Sequence, residues 1–105
     1  MGDLSREEIS ALEDFRDILV GRLRERIHRM TLFGSRARGR GAQNSDLDVL
    51  VLVHDATRAD RRSARDAAAD VSQRHSVVVS PLLLDAGSWQ DHPLRAVIDR
   101  EGRTL

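Results

Sequence analysis

Two aspartates separated by one residue, Asp46 and Asp48, are the strongest candidates for chemistry in this sequence. They stand at the start of an almost entirely β-branched and leucine run, residues 48–53, which is typical of a strand buried on both faces. Side chains two apart in a strand point to the same face, so the two carboxylates are expected to converge. Mg²⁺ binds one or two such carboxylates together with phosphate oxygens. We therefore predict a metal site at Asp46 and Asp48.

A glycine- and arginine-rich segment precedes this pair. Gly34 and Ser35 follow a short β-prone run, residues 29–33, and open a stretch that can form a helical turn. Glycine lets backbone N–H groups approach an anion closely, and the N-terminus of a helical turn favours negative charge. The arginines that follow can add charge-assisted hydrogen bonds to a triphosphate: Arg36, Arg38 and Arg40. This segment is therefore predicted to cradle phosphate opposite the aspartates.

The pattern Gly34-Ser35, ten intervening residues and Asp46-x-Asp48 resembles the polymerase-beta-like nucleotidyltransferase superfamily. The wider string GSRARGRGAQNSDLDVLVLV is similar to its minimal, single-domain branch, the MNT proteins. The resemblance implies an α/β (α+β) fold, with a small mixed β-sheet and flanking helices, in one domain over residues 1–105. It also implies Mg²⁺-dependent transfer of a nucleoside monophosphate, AMP from ATP, to a hydroxyl.

The same resemblance assigns roles to individual residues. Asp46 and Asp48 would be the catalytic, metal-holding pair. Gly34 and Ser35 would hold the terminal phosphates of the nucleotide. Phosphate charge would be neutralised by one of two side chains: Arg36 or Arg38.

A third carboxylate, which the active members of this superfamily carry on the neighbouring strand, has no clear counterpart here. The aligned position in the strand predicted over residues 76–84 is Ser80, which cannot carry negative charge. Asp85 is an alternative, but its odd offset from Ser80 places it on the opposite face of a regular strand. A bulge at Pro81 could change that parity, and Pro81 otherwise indicates an edge strand. The intact pair of Asp46 and Asp48 still predicts catalysis. The alternative is a catalytically weak or inactive nucleotidyltransferase-fold module that neutralises its partner by contact.

The resemblance also predicts a partner. Minimal members are commonly paired with a HEPN-type toxin, an RNase, and act as antitoxins that AMPylate it, so the acceptor would be a tyrosine hydroxyl on the toxin. This chain contains no tyrosine, which excludes tyrosine automodification.

Composition narrows the remaining function classes. A net charge of zero and 3% aromatic residues disfavour direct nucleic-acid binding. The absence of lysine excludes a P-loop, whose lysine reaches the phosphates. No apolar run approaches membrane-spanning length, and with no cysteine and no signal peptide we expect a cytoplasmic protein. A chain of 105 residues has a modest core, which favours a homodimer or hetero-oligomer.

The remaining elements are predicted from apolar periodicity and from capping residues. Helices are expected over 5–27, 58–74 and 93–101, and strands over 29–33, 48–53 and 76–84. Trp89 is expected to pack the last helix on the sheet. The apolar residues Leu82–Leu84 need cover, either from that helix or from another subunit.

Overall fold

The computed structural model describes residues 4–39 and 46–105, which form one four-stranded sheet flanked by helices. The helices and strands are α1 (Arg6–Leu23), β1 (Ile27–Phe33), β2 (Leu47–Val53), α2 (Arg58–His75), β3 (Val79–Asp85), α3 (Arg95–Glu101) and β4 (Arg103–Thr104). The strand order is β3-β2-β1-β4, with β2 and β3 parallel and the other pairs antiparallel. The predicted fold class, a small mixed sheet with flanking helices, is confirmed.

The bounds of the helices and strands differ from the prediction where the same apolar spacing is compatible with both a helix and a strand. The first helix ends at Leu23, and a 3₁₀ turn (Arg24–Arg26) leads into β1 at Ile27, which pairs with Val53. Ile27 continues the helical apolar spacing, but pairing in the sheet outweighs one more helical turn. The strand predicted from residue 76 begins at Val79, and the last helix begins at Arg95 after a second 3₁₀ segment (Ala86–Asp91). The two-residue strand β4 is too short to leave a sequence pattern.

The central strand β2 is buried on both faces, as its composition predicts. One face packs under α1 and α2 through residues that include Phe15, Leu19, Val49, Val51 and Val71. The other face carries Leu50 and Leu52, which pack with Trp89 and Ile98. Leu82 and Leu84 pack against this second cluster, so the chain's own C-terminal segment covers part of each side chain, and both remain partly exposed. In the described part of the chain, no helix has the length and apolar character needed to cross a bilayer.

An ion-pair cluster joins the end of α2 to α1. The His75 ring nitrogens lie 2.5 Å from an Asp14 carboxylate oxygen and 2.9 Å from one of Glu7. Hydrogen bonding to Asp14, and then to Glu7, raises the pKa of His75 against the opposing effect of burial. Charged His75 therefore stabilises the packing of the two helices.

A pH dependence of stability follows from this raised pKa. The contribution of His75 is fully present below its unfolded pKa of about 6.5 and is lost as pH rises through the higher folded pKa. We expect the free energy of unfolding, measured by urea denaturation, to fall more between mildly acidic and alkaline pH in the wild type than in His75→Gln. The exposed imidazole of His28 provides the matched control, His28→Gln. Parallel pH profiles for wild type and His75→Gln would contradict the assignment.

Candidate active site

The two aspartates lie at the N-terminal end of the central strand. Asp46 immediately precedes β2 and is exposed, whereas Asp48 is the second residue of β2 and is partly buried. Burial raises the pKa of Asp48, and the negative charge of Asp46 raises it further. Within residues 4–39 and 46–105, no arginine forms an ion pair with either carboxylate. Two neighbouring negative charges without a cationic partner favour a bound cation.

Gly34 brings the predicted phosphate segment directly against Asp48. Its φ of +79° lies in the left-handed region, and a Cβ at this position would lie 2.5 Å from Asp48 Oδ2. Glycine is therefore required here for both backbone conformation and space. The Gly34 carbonyl accepts hydrogen bonds from the N–H groups of Ala37 (3.2 Å) and Arg38 (3.4 Å). The predicted helical turn thus forms, with Ser35 as its second residue.

Arg36 makes a buried ion pair that anchors this turn to α1. Its Nε donates to Glu8 Oε2 at 3.0 Å and its guanidinium also donates to Glu8 Oε1 at 2.8 Å. The side chains are 5% and 2% exposed. A direct phosphate contact by Arg36 would require this pair to open, so we assign Arg36 to holding the turn. Arg38 is exposed, and its guanidinium lies 3.3 Å from Glu101 Oε1, a surface contact that it can exchange for phosphate. Arg40 lies outside the described residues.

Glu8 is the site-supporting residue that sequence reasoning missed. The capping box it forms with Ser5 was recognisable, and Glu8 N–H donates to Ser5 Oγ at 3.0 Å. Burial raises the pKa of Glu8, but hydrogen bonds from Arg36 and Ser5 outweigh burial and leave the pKa lowered. The available signal was position, because Glu8 shares the buried face of α1 with Leu12 and Phe15. A carboxylate on such a face indicates a buried partner.

The sheet register places Ser80 directly beside Asp48 on the parallel neighbour β3. Pairing continues without a shift through Pro81, and β3 is an edge strand of the described sheet. Of the two structures that Pro81 was expected to indicate, a bulge or an edge strand, the sheet therefore shows the edge strand. In the described ranges, no group of three or more His, Cys, Asp or Glu side chains could hold a metal.

Asp85 has a structural part at the opposite end of β3. It pairs with Val53, and its carboxylate accepts from the N–H groups of Ala56 (2.9 Å) and Gly87 (3.0 Å). The hydrogen bond from Ala56, and then that from Gly87, lower the pKa of Asp85. Asp85 is thus excluded as a substitute third acid.

A known family matches the part of the chain that contains this candidate site. The model of the family described as "Nucleotidyltransferase domain" matches residues 12–85, a span that contains the Gly34 turn, Asp46, Asp48 and Ser80. The chain belongs to the nucleotidyltransferase domain family. A protein of Methanocaldococcus jannaschii named "Putative protein adenylyltransferase MJ0141" is 31% identical over 78 residues, covering 73% of this chain and 79% of that protein.

Solved structures share the fold of this nucleotidyltransferase domain. A crystal structure described as a toxin-antitoxin with AMP-PNP has a TM-score of 0.57 and 21% identity, over 88% of this chain and 70% of that one. A mutant of the toxin-antitoxin MntA-HpeT has a TM-score of 0.56 and 22% identity, over 89% and 70% of the two chains. At these identities the likeness establishes the shared fold.

Proposed function

We propose that this nucleotidyltransferase domain transfers AMP from ATP, with Mg²⁺, to a hydroxyl of a partner protein. The observation that carries the proposal is the contact between the Gly34 turn and Asp48, beside Asp46. One small region thereby combines a backbone that can approach phosphate with carboxylates that lack a cationic partner in the described chain. The adenylyltransferase name of the 31% identical relative supports AMP as the transferred group.

Each site residue has a defined part in this proposal. Asp46 and Asp48 provide the oxygen donors that Mg²⁺ prefers, and a cation would relieve the repulsion between them. The bound metal would supply positive charge to organise the phosphates and stabilise displacement at the α-phosphate. Gly34 and Ser35 present backbone N–H groups to the terminal phosphates, and Arg38 can add a charge-assisted hydrogen bond.

The proposed partner is a HEPN-type toxin, and the proposed acceptor is a tyrosine hydroxyl on it. Two structures that share this fold are described as toxin-antitoxin assemblies, and one of them was crystallised with AMP-PNP. The chain carries no tyrosine, so an acceptor of this type must come from the partner. The domain would then act as the antitoxin of the pair.

One observation favours a second candidate function. Ser80, rather than an acid, lies beside Asp48, which leaves the carboxylate pair without a third negative ligand on β3. A site of this kind can bind nucleotide without efficient turnover. The chain would then neutralise its partner by contact alone.

Label transfer separates the two functions. We expect ATP labelled at the α-phosphate, Mg²⁺ and the product of the adjacent reading frame to yield a labelled partner protein. Asp46→Ala and Asp48→Ala should each lower the rate by at least about 100-fold, because each removes a metal ligand. The exposed carboxylate of Asp91 provides the matched control, Asp91→Asn. Toxin neutralisation that survives both alanine substitutions, with no label transferred by the wild type, would instead establish the contact-only function.

A further inference from the structure

One side of α2 carries a concentrated positive charge that the active site does not use. Four exposed arginines recur at spacings of three and four, which places them on one side of the helix: Arg58, Arg61, Arg62 and Arg65. Among the described residues, none of the four forms a side-chain hydrogen bond or an ion pair, although most other arginines do so. The one acid near the start of this segment, Asp60, is buried and bound to Arg26. Asp66 follows Arg62 by about one turn and pairs with none of the four among the described residues, so this side of the helix keeps a net positive charge.

The arginines border an apolar cleft at the edge of the sheet. Arg61 and Arg65 line this cleft with Ala64, opposite residues 81–84 of β3. Leu82 and Leu84 are only partly buried there. We call this surface the basic edge, and it consists of Arg58, Arg61, Arg62, Arg65, Pro81, Leu82 and Leu84.

The chemistry of the basic edge selects one class of occupant. Exposed guanidinium groups beside aliphatic side chains match a segment that carries both carboxylates and apolar residues. Single-stranded nucleic acid is bound through aromatic stacking, and the basic edge contains no aromatic side chain. Pro81 removes a backbone donor from the edge strand, which disfavours pairing of an added strand. The basic edge would thus bind its occupant through its own arginine and aliphatic side chains, and the occupant that fits them is an acidic protein segment.

The basic edge also leads to the active site. Pro81 directly follows Ser80, and Ser80 lies beside Asp48 in the sheet. A segment seated on β3 would therefore end next to the carboxylate pair. We propose that the basic edge docks an acidic, partly apolar segment of the acceptor protein; this inference rests on the proposed function and adds the place of docking.

The docking proposal can be tested by NMR titration of the ¹⁵N-labelled chain. The probes are a short peptide of repeated Glu-Glu-Leu triplets, the matching Lys-Lys-Leu peptide and an oligouridine RNA of similar length. We expect the acidic peptide alone to shift amide signals of residues 58–65 and 81–84. Arg61→Glu combined with Arg65→Glu should weaken its binding by about tenfold or more, since two attractive charges become repulsive.

A second double variant controls for net charge. Arg6→Glu combined with Arg100→Glu makes the same change at exposed sites away from the basic edge and should leave peptide affinity within about twofold. Equal weakening by both double variants, or tighter binding of the RNA than of the acidic peptide, would overturn the proposal. Titration of the same samples with ATP separates failure of the docking proposal from failure of the proposed function. A wild-type chain that binds the acidic peptide but not ATP would count against the proposed function and leave the docking result standing.

Discussion

Gly34→Ala is expected to lower label transfer by about 100-fold and to destabilise the fold by roughly 1–3 kcal/mol. The added Cβ would lie 2.5 Å from Asp48 Oδ2, and a φ of +79° is strained for alanine. Relief of the collision requires the turn or the carboxylate to move. Both would displace the phosphate segment from the metal-binding pair, and a displacement of about 1 Å can reduce a rate by this factor.

The chain supplies a matched control for this substitution. Gly21 lies in α1, where an added Cβ would meet nothing within 4 Å. Gly21→Ala should stabilise the helix by about 0.5–1 kcal/mol and leave label transfer unchanged. Activity and thermal denaturation, measured on both variants, check the prediction. If Gly34→Ala retained wild-type activity, the close contact between Gly34 and Asp48 would not be needed to position the phosphate segment.

Removing either partner of the buried Glu8–Arg36 pair is expected to cost about 3–5 kcal/mol of stability. Glu8→Gln leaves an uncompensated guanidinium in a site that is 5% exposed, and Arg36→Gln leaves an uncompensated carboxylate. The same changes release the turn that begins at Gly34 from its anchor on α1. Chemical denaturation measures the loss of stability, and titration of the folded variant with Mg²⁺ and AMP-PNP measures the expected loss of nucleotide affinity.

Arg38 provides the control for the ion pair, since its contact with Glu101 is at the surface. Arg38→Gln should change stability by at most about 1 kcal/mol. Replacing both buried partners, Glu8→Leu with Arg36→Met, should recover much of the lost stability, because no charge remains unpaired. Additive losses in the double variant would show that the two side chains do not act as a pair.

The sequence was sufficient for the parts of the fold that depend on local pattern. The apolar run of β2, the capping box at Ser5 and the turn at Gly34 each have a signal within a few residues. The place of Ser80 beside Asp48 did not follow from the predicted strand ends, which were three residues off at Val79; it came from the family resemblance, and the observed pairing agrees with it. Together these features position the candidate site.

The features that could not be predicted depend on contacts between distant residues. Glu8 and Arg36 are 28 positions apart, and an arginine in a glycine-rich segment is equally compatible with phosphate binding. The hydrogen-bonding part of Asp85 depends on Ala56, 29 positions away. The bounds of β4 and of the strand at Ile27 were likewise decided by sheet pairing rather than by local preference.

Calorimetric titration with ATP, in the presence and absence of Mg²⁺, tests whether the Gly34 turn and the carboxylates of Asp46 and Asp48 form one metal–nucleotide site. We predict saturable, Mg²⁺-dependent binding by the wild type and by Asp91→Asn, and a loss of at least about tenfold in affinity in Asp48→Asn. Binding that is independent of Mg²⁺, or equally tight in folded Asp48→Asn, would contradict this account.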